Sequence, residues 1–155
     1  MKFISSEASI KILSTLAGDP MRVFYQREVS MEARVSVGSA NCILRLLAER
    51  ELVVKERRRK VFLYKYNLEN PLARQIKILF NINDLSDLVL KLRASCKRIV
   101  LFGSCAEGTD VKDSEIDLFT LTDQKSEVRR AAKGYERSLG RKLSPIILNA
   151  GDFRH

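Results

Sequence analysis

Residues 36–67 read SVGSANCILRLLAERELVVKERRRKVFLYKYN. In the first half of this stretch, Ala40, Ile43, Leu44 and Leu47 follow the i, i+3, i+4, i+7 spacing of a helix with one buried stripe. Ser36 stands where a hydroxyl caps the first turn. The stripe leaves Ser39, Asn41, Cys42 and Arg45 on or near the open side. From Leu52 the period shortens. LVVKE and VFLYKYN carry the β-branched and aromatic residues of two strands, and Arg57, Arg58, Arg59 and Lys60 form a basic turn between them.

Upstream, residues 6–17 (SEASIKILSTLA) place Ile10, Leu13, Leu16 and Ala17 on one helical face, and Gly18-Asp19-Pro20 stops that helix. A second short helix spans Gln26 to Ala33. Three helices and a cationic hairpin, with the third helix polar on its free side, make a winged helix-turn-helix. Such a module sets the third helix in the major groove of double-stranded DNA and brings the hairpin tip to nearby phosphates or the minor groove. The expected DNA-binding set is Ser36, Ser39, Asn41, Cys42, Arg45, Arg57, Arg58, Arg59 and Lys60. The same wording resembles the third helix and wing of archaeal and bacterial winged-helix transcription regulators over about 50 residues, with Glu51 standing where many of them have Gly. The resemblance implies a regulator of transcription.

Charge points the same way. The 155 residues carry +9 and have a pI near 9.7. Residues 1–80 hold 15 Lys+Arg against 8 Asp+Glu, and residues 81–155 hold 13 against 11, so a phosphate backbone is expected at the first half. Cys42, Cys96 and Cys105 lie at unrelated spacings and read as reduced thiols of a cytoplasmic protein. The opening MKFISSEASIKILSTLAG lacks the continuous apolar core of a signal peptide, and no apolar run is long enough for a membrane span, so neither export nor a membrane partner is expected. His155 is the only histidine, which removes Ser-His-Asp and Cys-His nucleophile systems.

Beyond the hairpin, residues 71–80 begin with Pro at a first helical position, and residues 83–95 open on Asn83 or Asp84 as a cap. Two linking helices are expected over 71–96. The stripe Leu85, Leu88, Val89 and Leu92 must dock on something, either the second domain or a symmetry mate in a homodimer. From Lys97 the order is strand, tight turn, strand, helix, strand, a small α/β layer. The expected fold is α+β, with domains at 1–70 and 97–155 around the linking helices.

Residues 99–123, IVLFGSCAEGTDVKDSEIDLFTLTD, resemble the minimal nucleotidyltransferases of the DNA polymerase β-like superfamily: a hydrophobic strand, Gly103-Ser104, ten residues, then Glu115-Ile116-Asp117. Residues two apart on a strand project from one face, so Glu115 and Asp117 are the expected metal ligands for Mg²⁺. Gly103 would let the backbone approach the phosphates of ATP, and Ser104 would offer them a hydroxyl. The sequence departs from the family in several places. Glu115 stands where Asp is usual, and Glu107 where a basic residue is usual. Ser144, followed by Pro145, takes the place of a third carboxylate on the last strand. The chain ends at His155, where the family continues into another helix, so the domain is expected to be incomplete at its C-terminal end and the pocket open on one side.

The leading expectation is therefore a DNA-binding transcriptional regulator whose nucleotidyltransferase-like domain, weakened or inactive in turnover, senses a nucleotide. The alternative is an active metal-dependent enzyme that transfers AMP from ATP to a hydroxyl of a partner protein or small molecule.

Overall fold

Two serines start helices in the first half of the chain. Ser6 and Ser36 sit in extended backbone and accept the amides of Ser9 and Ser39 at 3.2 and 3.1 Å. Each thereby satisfies one of the orphan N–H groups of a first turn. The computed structural model describes residue 4, residues 6–149 and residues 151–152. The expected open end of the pocket falls partly on residues 153–155, outside the described residues. The elements are α1 (Glu7–Gly18), β1 (Phe24–Tyr25), α2 (Gln26–Glu32), α3 (Val37–Glu49), β2 (Val53–Arg58), β3 (Val61–Tyr66), α4 (Pro71–Leu92), β4 (Arg98–Phe102), α5 (Ser104–Glu107), β5 (Ile116–Leu121), α6 (Lys125–Leu139) and β6 (Leu143–Leu148). Contacts divide the chain into two units, residues 1–77 and 78–155. No helix of the described residues is long and apolar enough to cross a membrane.

In the first unit, Ile12, Leu13 and Leu16 of α1 pack in a core with Val29, Ala40, Leu44 and Leu47. The expected α1 face shifts by part of a turn. Ile10 is exposed and Ser9 is buried, because Ser9 satisfies its hydroxyl locally against Ser6 Oγ at 2.9 Å and so fits an apolar row. On α3 the predicted stripe holds for Ala40, Leu44 and Leu47, with Ile43 half-buried. The small sheet is antiparallel in the order β1-β3-β2. β1, two residues long, is too short to show alternation in the sequence. β2 is exposed after Val53, whereas β3 buries Leu63, Tyr64 and Tyr66. The Tyr66 hydroxyl donates to Ala73 O at 2.8 Å, and burial pushes its pKa well up.

α2 and α3 end by the same device. Arg34 N donates to Met31 O (3.2 Å) and Val35 N to Ser30 O (3.0 Å); Glu51 N donates to Ala48 O (3.0 Å) and Leu52 N to Leu47 O (3.0 Å). These paired bonds form a Schellman cap, which needs a left-handed residue just past the helix. Arg34 and Glu51 adopt it at φ 53 and 57, although glycine is the residue without a steric penalty there.

The second unit carries a sheet in the order β4-β5-β6, antiparallel then parallel. Leu85, Leu88 and Leu92 of α4 and Val128, Ala132 and Tyr135 of α6 form one core with Ile116, Leu118 and Leu143. The two expected linking helices are instead one helix that ends at Leu92. Asn81, Asn83 and Asp84 carry only a fraction of a kcal/mol of helix penalty each, and neither Gly nor Pro interrupts them. The buried row is Asn81, Leu85, Leu88 and Leu92, whereas Val89 faces solvent. Where a tight turn was expected after β4, the chain makes the short helix α5.

Glu51→Gly should therefore stabilise the first unit by about 1 kcal/mol, by removing the left-handed penalty at a cap that stays intact. Thermal unfolding followed by circular dichroism should show that unit's midpoint rising by a few degrees; a lowered midpoint would mean that Glu51 contributes a contact larger than its strain.

Candidate functional site

In the first unit, Ser36, Ser39, Asn41, Cys42 and Arg45 are all exposed, and so are Arg57, Arg58, Arg59 and Lys60. They are not equivalent. Ser36 Oγ donates to Ser39 Oγ at 2.9 Å while accepting the Ser39 amide, so both hydroxyls serve the helix start. Arg58 Nε donates to Glu56 Oε1 at 2.8 Å, and that carboxylate raises the Arg58 pKa. Arg57 Nε donates to Arg59 O at 3.2 Å across the turn, with Arg59 itself left-handed at φ 54. Asn41, Cys42, Arg45 and the tip cations are left facing outward. The sequence reading missed an aromatic component. Lys55 Nζ lies 4.0 Å from the centre of the Phe62 ring, and Tyr25, Val37, Lys60 and Phe62 line a groove of about 480 Å³. The exposed Phe62 beside the hairpin tip was the available signal.

In the second unit, Asp117 and Gly103 are brought into contact. The pairing Phe102↔Asp117 sets the carboxylate beside the end of β4. Gly103 has φ 69 and ψ −157, a region open essentially to glycine alone. A Cβ added there would lie 2.4 Å from Asp117 Oδ2. Ser104 follows at the start of α5, half-buried. Glu115 precedes β5 by one residue, is exposed, and has Lys142 Nζ at 4.0 Å. The sheet therefore fixes Asp117 but not Glu115. Ser144 is the direct partner of Asp117 across β5 and β6, which puts a hydroxyl where a third carboxylate would stand. Glu107 is exposed. Among the described residues no three His, Cys, Asp or Glu side chains converge on one point.

Beyond Asp117 and Ser144, the sheet face that carries them is largely apolar. Val100, Phe102, Phe119 and Ile146 line a shallow groove of about 370 Å³ with Arg98 at its edge. The loop between Gly103 and Asp117 is held by residues that sequence reasoning did not single out. Asp110 is buried, accepting from Asn81 Nδ2 at 2.8 Å and from Arg141 Nη2 at 3.1 Å. Arg141 Nη2 also reaches Ser114 O at 3.2 Å. Asp110 lies in an ordinary polar loop, and nothing local marks it as buried.

Asp110→Ala should destabilise the second unit by about 3–5 kcal/mol, because Arg141 loses its buried counter-charge. Chemical denaturation would read this as an early unfolding transition, and a change below about 1 kcal/mol would show that the pair carries little.

Residues 82–153 match the family model described as a nucleotidyltransferase domain, a little under half of the chain. No curated protein and no solved structure gives a significant match. Residues 82–153 of the chain, which include the Gly103-Ser104 turn and Asp117, are thus similar to nucleotidyltransferase domains.

Proposed function

We propose that the second unit is a metal-dependent nucleotidyltransferase that moves AMP from ATP to a hydroxyl of a partner protein or small molecule, and that the first is a winged helix-turn-helix holding double-stranded DNA. The observation that carries the transferase reading is the Asp117 carboxylate lying against Gly103, inside the stretch matched to that family. The oxygen donors there are the carboxylates of Asp117 and Glu115. With triphosphate oxygens and water they suit one nucleotide-borne Mg²⁺, which typically takes one or two protein carboxylates; they do not suit two ions. Bound there, the ion would neutralise charge on the triphosphate.

The chain's own residues supply position. Gly103 leaves room for a phosphate beside the backbone, Ser104 offers its hydroxyl, and the apolar face of Val100, Phe102 and Phe119 shields one side from water. The acceptor oxygen then bonds to the α-phosphorus as the bond from that phosphorus to pyrophosphate breaks. Labelled ATP incubated with Mg²⁺ or Mn²⁺ and candidate hydroxyl acceptors should give labelled product, reduced at least about 100-fold by Asp117→Ala. Equal background from both proteins would end the transferase reading.

A second reading, a transcriptional regulator whose nucleotide site senses without turnover, is favoured by Ser144 opposite Asp117 and by the solvent-exposed, Lys142-paired Glu115. It predicts that ATP with Mg²⁺ binds and shifts DNA affinity while no product forms. Support for the DNA module comes from the order α1-β1-α2-α3-β2-β3 closed by a β1-β3-β2 sheet, with the outer side of α3 open. Asn41, Cys42 and Arg45 would face base edges, and Arg57, Arg59 and Lys60 phosphates. The three cysteines fit a reducing cytoplasm. A homodimer through α4, where Leu79, Ile82, Val89 and Leu90 are exposed, would suit a two-fold operator.

Fluorescence anisotropy on genomic duplex fragments should show binding that weakens steeply with salt, with Arg45→Ala costing about 1–3 kcal/mol. Arg59→Gly separates strain from charge: it should raise thermal stability while lowering the salt slope by about 0.9. Absent or salt-insensitive duplex binding would remove the DNA module from the account.

A further inference from the structure

The outer side of α6 carries Arg129, Lys133 and Arg137 at four-residue intervals, and Arg130 beside them. All four are exposed. None has an ion pair or side-chain hydrogen bond among the described residues, unlike Lys125 one turn earlier, which pairs with Asp152 at 3.0 Å. The carboxylates that could neutralise the row are engaged elsewhere. Glu127 accepts from Ser95 Oγ at 2.7 Å, and Glu136 accepts from Leu143 N at 2.9 Å. Like charges at i, i+4 destabilise a helix by a few tenths of a kcal/mol per pair. Glu127 and Glu136 stand near the row without an ion pair to it and offset only part of that repulsion.

The row borders a groove of about 760 Å³ whose floor includes Leu143 and Pro145. Strand alternation sets these two residues on one face of β6 and Ser144, the partner of Asp117, on the other. The groove is therefore on the sheet face away from the nucleotide site.

We propose that this groove is a second, independent site that binds the phosphodiester backbone of a single nucleic-acid strand, without reading its sequence. The cations stand about 6 Å apart along the helix axis, the scale of the step between successive phosphates on one strand. Arginine predominates, and its planar fork suits phosphate oxygens. Apart from Glu136, the polar side chains of the groove lining are cations, which suit phosphate oxygens whatever the base. The inference does not depend on the reading of the wing.

The test uses the full chain with its wing neutralised (Arg57→Ser, Arg58→Ser, Arg59→Ser, Lys60→Ser), so that a remaining site is seen alone. Anisotropy of a fluorescent 20-nucleotide oligo-dT is followed against salt, with and without Arg129→Ser, Lys133→Ser and Arg137→Ser. Removing the row should weaken binding at least about tenfold at low salt and lower the log–log salt slope by about 2, at roughly 0.7 per phosphate on a single strand. A variant with Arg129→Lys and Arg137→Lys should retain most of the binding, which separates lost charge from lost fold. ATP with Mg²⁺ should leave the affinity unchanged. The proposal is overturned if the wing-neutral chain fails to bind the strand or if the serine variants bind as it does. Displacement of the strand by ATP, or equal competition from polyglutamate of matched charge, would overturn it as well; the polyglutamate result would assign the groove to an acidic protein.

Discussion

Asp110 lies almost wholly out of solvent between Arg141 and Asn81. A carboxylate in that position is tolerated only when a counter-charge and hydrogen bonds replace its water, and here both are present. The same Arg141 Nη2 reaches Ser114 O and Cys105 Sγ, while Ser114 Oγ accepts the amide of Val111. The loop that separates Gly103-Ser104 from Glu115 and Asp117 is thus tied at its middle and near its far end. That tie holds the loop between the two strands whose pairing sets Asp117 beside Gly103.

Several residues depart from what the folded state alone would favour. Glu51, Arg34 and Arg59 occupy left-handed backbone that glycine would take more cheaply. Gly103 is different, because the carboxylate of Asp117 leaves no room there for a side chain. On α6 and at the tip of the β2–β3 hairpin, cations stand close together with few anions to offset them. Such arrangements carry a modest penalty in the isolated chain, and a polyanionic partner would relieve it.

Local patterns were the legible part of the sequence. The cap at Ser36, the stripe Ala40-Leu44-Leu47 and the two strands around the basic run Arg57–Lys60 each depend on residues within a few positions, and the structure has all three, although burial does not alternate along either strand. Patterns that required knowing a partner were read less well. Ile10 looked as buried as Leu13 until Ser9, hydrogen-bonded to Ser6, took the inward position. Asn83 and Asp84 looked like a helix start, yet α4 runs through them, with Asn81 anchored on Cys105 O and Asp110. The pairing of Glu115 with Asp117 followed from period-two spacing, but strand pairing begins at Ile116.

By itself the sequence determined the three helices and the hairpin of the first half, the placement of positive charge there, and the Gly103-Ser104 to Asp117 spacing. Those are properties of neighbours along the chain, where dihedral preference, side-chain period and charge act over a few residues. Only the tertiary structure decided that Asp110 would be buried on Arg141, that Ser144 would face Asp117, and that Glu127 would accept from Ser95. These depend on which distant groups meet, and burial energies between residues about 30 positions apart leave no trace in local pattern.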